Sequence, residues 1–427
     1  MNSMGHYIKR ELEKKLVSWL PEREIIAICG PRQSGKTTLV KKIAEDLKLS
    51  GKEVFYASFE DTETLLSFIR APKEFVSLHM GGGDRTFFIF DEYQLVPGGG
   101  KVLKLLFDLF EEAKFIITGS SSLKIRDLAE NLVGRVIFFE LYPLSFSEFL
   151  SCKDGVVYKK HESLQTAFTE FLFSGKFESQ TLLYEDTSLK LFEEYAIYGG
   201  YPAVALSERQ KSEERLQSFI NTYVERDIVK LLKIGNYLDF RNFAQSLSLQ
   251  IANLITYSSF GSELGLSFRE VRKFLSALEE TYVVKSLLPF SKNRATEIKK
   301  SRKVYFIDLG LRNGLIGDFR ALEMRQDKGA LAENFVLQNL IYRPSTSDVR
   351  YWRTKQGAEV DFVLKMQGEL VPIEVKFQNM KKAEISKSLV SFINLYSVKR
   401  AVVLTKNFSG TRLFGNARVA FFPIYSV

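Results

Sequence analysis

The sequence holds two cysteines, Cys29 and Cys152, and no long apolar run. Two thiols in 427 residues cannot form a disulfide framework, which points to a reducing, cytoplasmic setting. Neither has a CxxC or HxxxH pattern beside it, which argues against a structural zinc site. No apolar stretch reaches bilayer length, so no membrane span is expected. The opening His6-Tyr7-Ile8-Lys9-Arg10-Glu11 lacks the apolar core of a signal peptide, so no leader is expected either. Charge is only mildly one-sided. A net +9 permits a polyanionic partner such as DNA without requiring one. What is present suffices for real cores: 45% hydrophobic and 13% aromatic residues, in a length that suggests two or three domains.

The most informative stretch is Gly30-Pro31-Arg32-Gln33-Ser34-Gly35-Lys36-Thr37-Thr38. It follows the apolar run Ile25–Cys29 and precedes a helical pattern with Leu39, Val40, Ile43, Ala44 and Leu47 on one face. A buried strand, a glycine-bearing turn and a helix N-terminus together make a phosphate cradle of backbone N–H groups. Lys36 can reach the outer phosphates, and the Thr37 hydroxyl can ligate Mg²⁺.

Further apolar strands are expected at Val54–Phe59, Phe87–Phe90, Phe115–Thr118 and Val136–Leu141, after an amphipathic helix over 7–20. Near-continuous apolar strands alternating with helices predict a parallel α/β sheet over residues 1–150, in the manner of a P-loop nucleoside triphosphatase. Asp91 ends its strand as a Walker B carboxylate would, holding Mg²⁺, and Glu92 is the natural base for an attacking water. If the strand ending Thr118-Gly119-Ser120-Ser121 lies between the first and third, Thr118 or Ser120 can sense the γ-phosphate. Arg135 reads either as an arginine finger toward a neighbouring subunit, within a homo-oligomer, or as a surface arginine before a strand.

Residues 151–320 read as a connector of mixed polarity over 151–190, a turn at Tyr198–Pro202, a helix over 212–232, and a small helical bundle from Phe240 to Phe290. Ser267 and Glu270 match a capping box before Phe268, Val271, Phe274, Leu275 and Leu278. That outline fits a winged helix-turn-helix able to enter a DNA groove, or a helical lid. The basic run Lys292, Arg294, Lys299, Lys300, Arg302 and Lys303 reads as a solvated loop or a phosphate grip. Over 321–427, a strand with Asp361 and a partner with Glu374 and Lys376 are joined by the turn Gln367-Gly368. With Glu333 on a helix over 329–341, these residues are either a metal-dependent nuclease cluster or an exposed hairpin of alternating charge.

Assembled, the chain resembles the archaeal and bacterial ATPases that join an AAA-type domain (AAA_14) to a C-terminal domain of unknown function, DUF4143. The residues that carry this are Gly30–Thr38, Asp91-Glu92-Tyr93-Gln94, Thr118–Ser121, Gly199-Gly200-Tyr201-Pro202, Val304–Leu311, and Glu359–Asp361 with Glu374–Lys376. The resemblance implies ATP rather than GTP as the nucleotide, and a restriction-endonuclease-like α/β fold at the C-terminus. The chain departs from larger AAA+ proteins in lacking a clear helical lid with a second sensor arginine directly after the first domain, so ring assembly has no support in the sequence.

Overall fold

A computed structural model describes residues 7–83, 85–120, 131–178, 185–228, 235–291, 301–343 and 348–427. The chain divides into two compact units. One comprises residues through Leu144 with Glu280–Tyr282, the other Ser145–Glu279 with Val283–Val427.

The first unit is built on five parallel strands: β1 (Ile25–Cys29), β2 (Glu53–Ser58), β3 (Thr86–Asp91), β4 (Ala113–Gly119) and β5 (Val136–Glu140). Their order is β2-β3-β4-β1-β5. β4 therefore lies between β1 and β3, pairing Ile28 with Thr118 and Phe90 with Ile117. Strand alternation sends Ile26, Ile28, Phe87, Ile89 and Ile116 to one face. There they pack on Leu39, Val40 and Ile43 of the helix Lys36–Leu49 and on Leu16 of the helix Glu11–Trp19. The opposite face is aromatic: Phe90 lies 5.2 Å from Phe68 and 6.0 Å from Phe115. With both faces covered, β1, β3 and β4 are buried along their whole length.

In the second unit, the connector expected over 151–190 is instead helical. Phe146–Lys153 and Gly155–Ser174 are helices, and a third covers Glu185–Tyr198. Val157, His161, Leu164, Phe168, Phe171 and Leu172 form a buried stripe at helical spacing. Polar residues set among them diluted that period. The Asp154 carboxylate caps the long helix, accepting from Val156 N at 2.9 Å and Val157 N at 3.1 Å. The helix expected over 212–232 runs Arg209–Phe219 and continues as a π-helix, Ile220–Asp227. Residues 229–232 lie outside the described residues.

Next come the helices Tyr237–Leu249, Tyr257–Leu264 and Phe268–Glu280, interleaved with β6 (Leu254–Ile255), β7 (Val284–Leu287) and β8 (Arg302–Phe306). These strands pair antiparallel in the order β6-β8-β7. The capping box forms: Glu270 N donates to Ser267 Oγ at 3.3 Å, and Ser267 N to Glu270 Oε2 at 2.8 Å.

The C-terminal segment runs helix Lys328–Ile341, β9 (Arg350–Arg353), β10 (Glu359–Met366), β11 (Glu369–Lys376), helix Lys387–Tyr396, β12 (Arg400–Thr405), β13 (Gly410–Phe414) and β14 (Ala417–Pro423). The six strands form a mixed sheet ordered β13-β14-β12-β11-β10-β9. β9, β10 and β11 are antiparallel, and β12 returns parallel to β11. Gln367 (φ 50°) and Gly368 (φ 84°) close the β10–β11 hairpin, the two positive φ values that a two-residue turn of this hand requires. Leu389, Phe392 and Ile393 of the second helix pack on Val360, Val363, Ala401 and Val403.

Candidate functional site: a nucleotide-binding P-loop and an acidic cluster

β1 delivers the chain into the loop, and the helix Lys36–Leu49 takes it up immediately behind Gly35, whose φ is 97°. Leu141 N donates to Cys29 O at 2.7 Å, so the β5 exit lies against the start of the loop. A Cβ on Gly30 would stand 2.1 Å from Leu141 O, which leaves room only for glycine. Arg10, which sequence reasoning gave no role, is buried and braces the loop from below. Its guanidinium donates to Ser34 O and Tyr142 O, each at 2.7 Å.

Lys36 Nζ is folded onto the loop, donating to Gly30 O at 3.0 Å and Pro31 O at 2.8 Å. Burial lowers its pKa to about 8, although Glu92 and Asp91 pull the other way. The Ser34 hydroxyl is buried and accepts or donates no hydrogen bond. Arg32 and Gln33 of the loop and Thr38 in the first turn of the helix are exposed. A polyanion meets here an ammonium in want of a better partner, an unused hydroxyl and a helix N-terminus, so the residues fit a bound triphosphate.

The carboxylate of Asp91 stands directly opposite. Thr37 Oγ1 donates to Asp91 Oδ2 at 2.7 Å, and Tyr56 OH donates to the same oxygen at 2.9 Å. Thr118 Oγ1 donates to Asp91 Oδ1. Burial, then the Asp91 charge, push the Tyr56 phenol well above its usual range, so it remains a donor. A hydroxyl and a carboxylate so placed are oxygen donors of the kind Mg²⁺ takes.

Glu92 follows in the left-handed region, φ 56°, an uncommon conformation for a residue with a long side chain. Its N–H donates to Thr118 Oγ1 at 3.0 Å, which fixes the turn. Ser120 Oγ donates to Glu92 Oε2 at 3.2 Å, and Gln94 Nε2 donates to the same carboxylate. Thr118 and Ser120 thus both join the site, while Ser121 lies outside the described residues. Tyr56 was not anticipated as a member, and Gln94 was quoted only within the run Asp91-Glu92-Tyr93-Gln94, without a role of its own.

Arg135 does not join this site. Its carbonyl accepts from Ile25 N at 2.7 Å, at the start of β1, whereas the loop leaves from the far end of that strand. Five residues at ~3.3 Å each put the two about 16 Å apart. The guanidinium instead pairs with Asp108, Nε to Oδ1 at 3.0 Å. Arg135 thus stands in this chain as a surface arginine before β5, at the end of the sheet opposite the nucleotide loop; a finger toward a neighbouring subunit is a matter for an assembly of several chains.

Residues 22–150 match the AAA domain family. Residues 189–322 match a domain of unknown function, DUF8612, and residues 328–426 match DUF4143, a second domain of unknown function. The chain thus joins an AAA-type domain to a DUF4143 domain. An uncharacterized protein of Haemophilus influenzae is 24% identical, over 94% of each chain. One from Mycobacterium tuberculosis is 27% identical, over 92% of this chain and 79% of its own. Among solved structures, a Walker-type ATPase of Pyrococcus abyssi aligns with 72% of this chain and 96% of its own at 13% identity and a TM-score of 0.45. Among the described residues, no helix is long and apolar enough to cross a membrane.

The DUF4143 region gathers the second set of predicted residues. Lys376 Nζ lies 3.0 Å from Glu374 Oε1, and Ser386 Oγ donates to Glu374 Oε2 at 2.8 Å. Val375 N donates to Asp361 Oδ2 at 2.7 Å. Burial and the nearby Glu333 charge hold the Asp361 carboxyl well above the usual carboxylate range. Lys303, expected in a basic loop, is instead on β8 with its side chain 2% exposed. Its Nζ lies 2.9 Å from Glu333 Oε1 and pairs with Glu359 Oε1. Burial opposes its charge, but Glu333, Asp361 and Glu359 outweigh burial and keep the ammonium protonated above its ordinary value. Lys292, Arg294, Lys299 and Lys300 of that basic run lie outside the described residues. Among the described residues, no three acidic, histidine or cysteine side chains are grouped so as to hold a metal ion.

Proposed function

We propose that this chain is a Mg²⁺-dependent ATPase. The observation that carries the reading is the 2.7 Å hydrogen bond from Thr37 Oγ1 to Asp91 Oδ2, with Lys36 beside it in the loop. Lys36 would leave the Gly30 and Pro31 carbonyls for the β- and γ-phosphates of the substrate. Thr37 and Asp91 would hold Mg²⁺, which when bound offsets charge on the transferring phosphoryl group. Glu92, kept in place by Ser120 and Gln94, would orient water and accept its proton. Thr118 touches both Asp91 and the Glu92 backbone, so it couples the metal carboxylate to the base. Purified protein is expected to hydrolyse ATP. Lys36→Ala should abolish nucleotide binding, whereas Glu92→Gln should bind ATP but turn over about 10²–10⁴-fold more slowly. Undiminished turnover in either variant refutes the assignment.

A second reading concerns the three-helix segment. Its helices and strands alternate in the sequence of a winged helix, and Arg269, Arg272 and Lys273 are exposed on the helix Phe268–Glu280. These features support DNA as a partner, bound through that helix. Affinity for duplex DNA should fall steeply with salt, and Arg269→Glu with Arg272→Glu should flatten that slope. The C-terminal segment, with a helix, three antiparallel strands, a second helix and a parallel strand, supports a nuclease-like fold.

A further inference from the structure

We infer that the acidic cluster of the DUF4143 region is a closed ion-pair box rather than a nuclease centre, because the Lys303 ammonium is seated between Glu333 and Glu359 and the neighbouring carboxylates already have partners. This deepens the reading of the C-terminal segment as nuclease-like in fold.

Three observations carry it. The Lys303 ammonium is enclosed between Glu333 and Glu359, carboxylates from a helix and a strand distant in sequence. Tyr305, two residues further along β8, donates its hydroxyl to Glu333 Oε1 at 2.5 Å, so the same oxygen already receives two donors. The remaining carboxylates are committed as well. Glu374 uses both oxygens on Lys376 and Ser386. Glu359 Oε2 accepts from Arg353 at 2.9 Å, and Asp361 Oδ2 from the Val375 backbone.

A catalytic Mg²⁺ would need several of these oxygens to turn to one point at about 2.1 Å. That point must also be free of other positive charge. Here three cations, Lys303, Lys376 and Arg353, pair with Glu333, Glu359 and Glu374. The charge of the cluster is nearly met from within. Removing one member of such a buried pair leaves the others uncompensated, so the ammonium does not leave easily. Lys303 also ties β8 of the small three-stranded sheet to the helix Lys328–Ile341 and to β10. The cluster therefore fastens the three-helix segment to the C-terminal sheet, a structural task.

The test is a calorimetric titration of the full chain with Mn²⁺ in the absence of nucleotide, comparing wild type with Asp361→Asn. The expected result is no Mn²⁺ site that Asp361→Asn removes, and plasmid left equally intact by both in Mg²⁺ or Mn²⁺. Lys303→Met keeps the stem and removes the charge. It is expected to gain one Mn²⁺ per chain, lost again in Lys303→Met/Asp361→Asn. Wild-type Mn²⁺ binding or cleavage that depends on Asp361 would overturn the inference, and this comparison decides even if Lys303→Met does not fold. A folded Lys303→Met that takes up no Mn²⁺ would also overturn it. ATP turnover measured on the same preparations reports separately on the P-loop assignment.

Discussion

Raising the pH from 7 to 9 is expected to weaken nucleotide binding through Lys36 alone. Without nucleotide its ammonium is buried on two carbonyl oxygens, and burial lowers its pKa to about 8. A pKa of about 8 leaves the group about nine-tenths protonated at pH 7 and about one-tenth at pH 9. Only the charged form suits the phosphates, so apparent affinity falls about tenfold, near 1.4 kcal/mol. Binding near pH 8 should draw about half a proton per site from the buffer. Calorimetry in two buffers of different ionisation enthalpy reads both quantities, with magnesium nucleotide fully ionised throughout. The sign for folding is opposite. A lysine whose folded pKa lies below its unfolded value opposes folding at neutral pH, by about 3 kcal/mol here, and that cost is relieved as pH rises from 8 toward 10.5. An affinity that stays level from pH 7 to 9 with no proton uptake would refute the placement of Lys36.

Other consequences are direct. Arg10→Met removes charge-assisted hydrogen bonds to Ser34 O and Tyr142 O, so the urea midpoint should drop by the equivalent of about 2–3 kcal/mol, with weaker nucleotide binding. Gly30→Ala drives a Cβ against the Leu141 carbonyl, a backbone atom that cannot yield cheaply, and about 3 kcal/mol should be lost in thermal melting. Asp308 is fully buried, and burial raises its pKa to about 6, against backbone donors that pull it down. A raised acid pKa contributes stability that is complete below the unfolded value of 3.8 and is lost as pH rises through 6, about 3 kcal/mol in all. Between pH 4 and 7, Asp308→Asn should therefore lose less stability than wild type does, as measured by urea midpoints; parallel curves would count against it.

The parallel sheet of the first unit was legible because burial on both faces leaves almost no polar residue within β1, β3 or β4. Each expected strand lies within two residues of its observed bounds. The P-loop was legible for a related reason: its chemistry is local, nine residues long. What escaped was long-range. Arg10 reaches Tyr142 across 132 residues, and no local pattern announces that a lysine or arginine will turn inward. Lys303 shows the same limit. A run of like charges ordinarily stays in water, and Lys303 enters the core only because Glu333 and Glu359 arrive from elsewhere in the chain. For Arg135 the sequence offered two readings, and the direction of β5 places it away from the loop of its own chain, paired with Asp108.

Two signatures quoted separately from the sequence turn out to be one device. Gly200 N donates to Asp308 Oδ2 at 2.7 Å, and Leu311 N to Asp308 Oδ1 at 2.8 Å. A Cβ on Gly199 would lie 2.2 Å from Asp308 Oδ1, and one on Gly310 would lie 2.0 Å from Tyr198 O. Both glycines are therefore required by close approach. Asn313, one turn further on, donates to Ala196 O at 3.0 Å and Ile197 O at 2.9 Å. The helix Glu185–Tyr198 thus ends against the start of the helix Leu309–Ile316, its last carbonyls satisfied by side chains from the second. β8 immediately precedes that second helix, and β8 carries Lys303 into the acidic cluster. The same short stretch of chain therefore fastens two neighbours, one through a buried carboxylate and one through a buried ammonium. Such a stretch acts by position: it sets where the helices and strands around it lie.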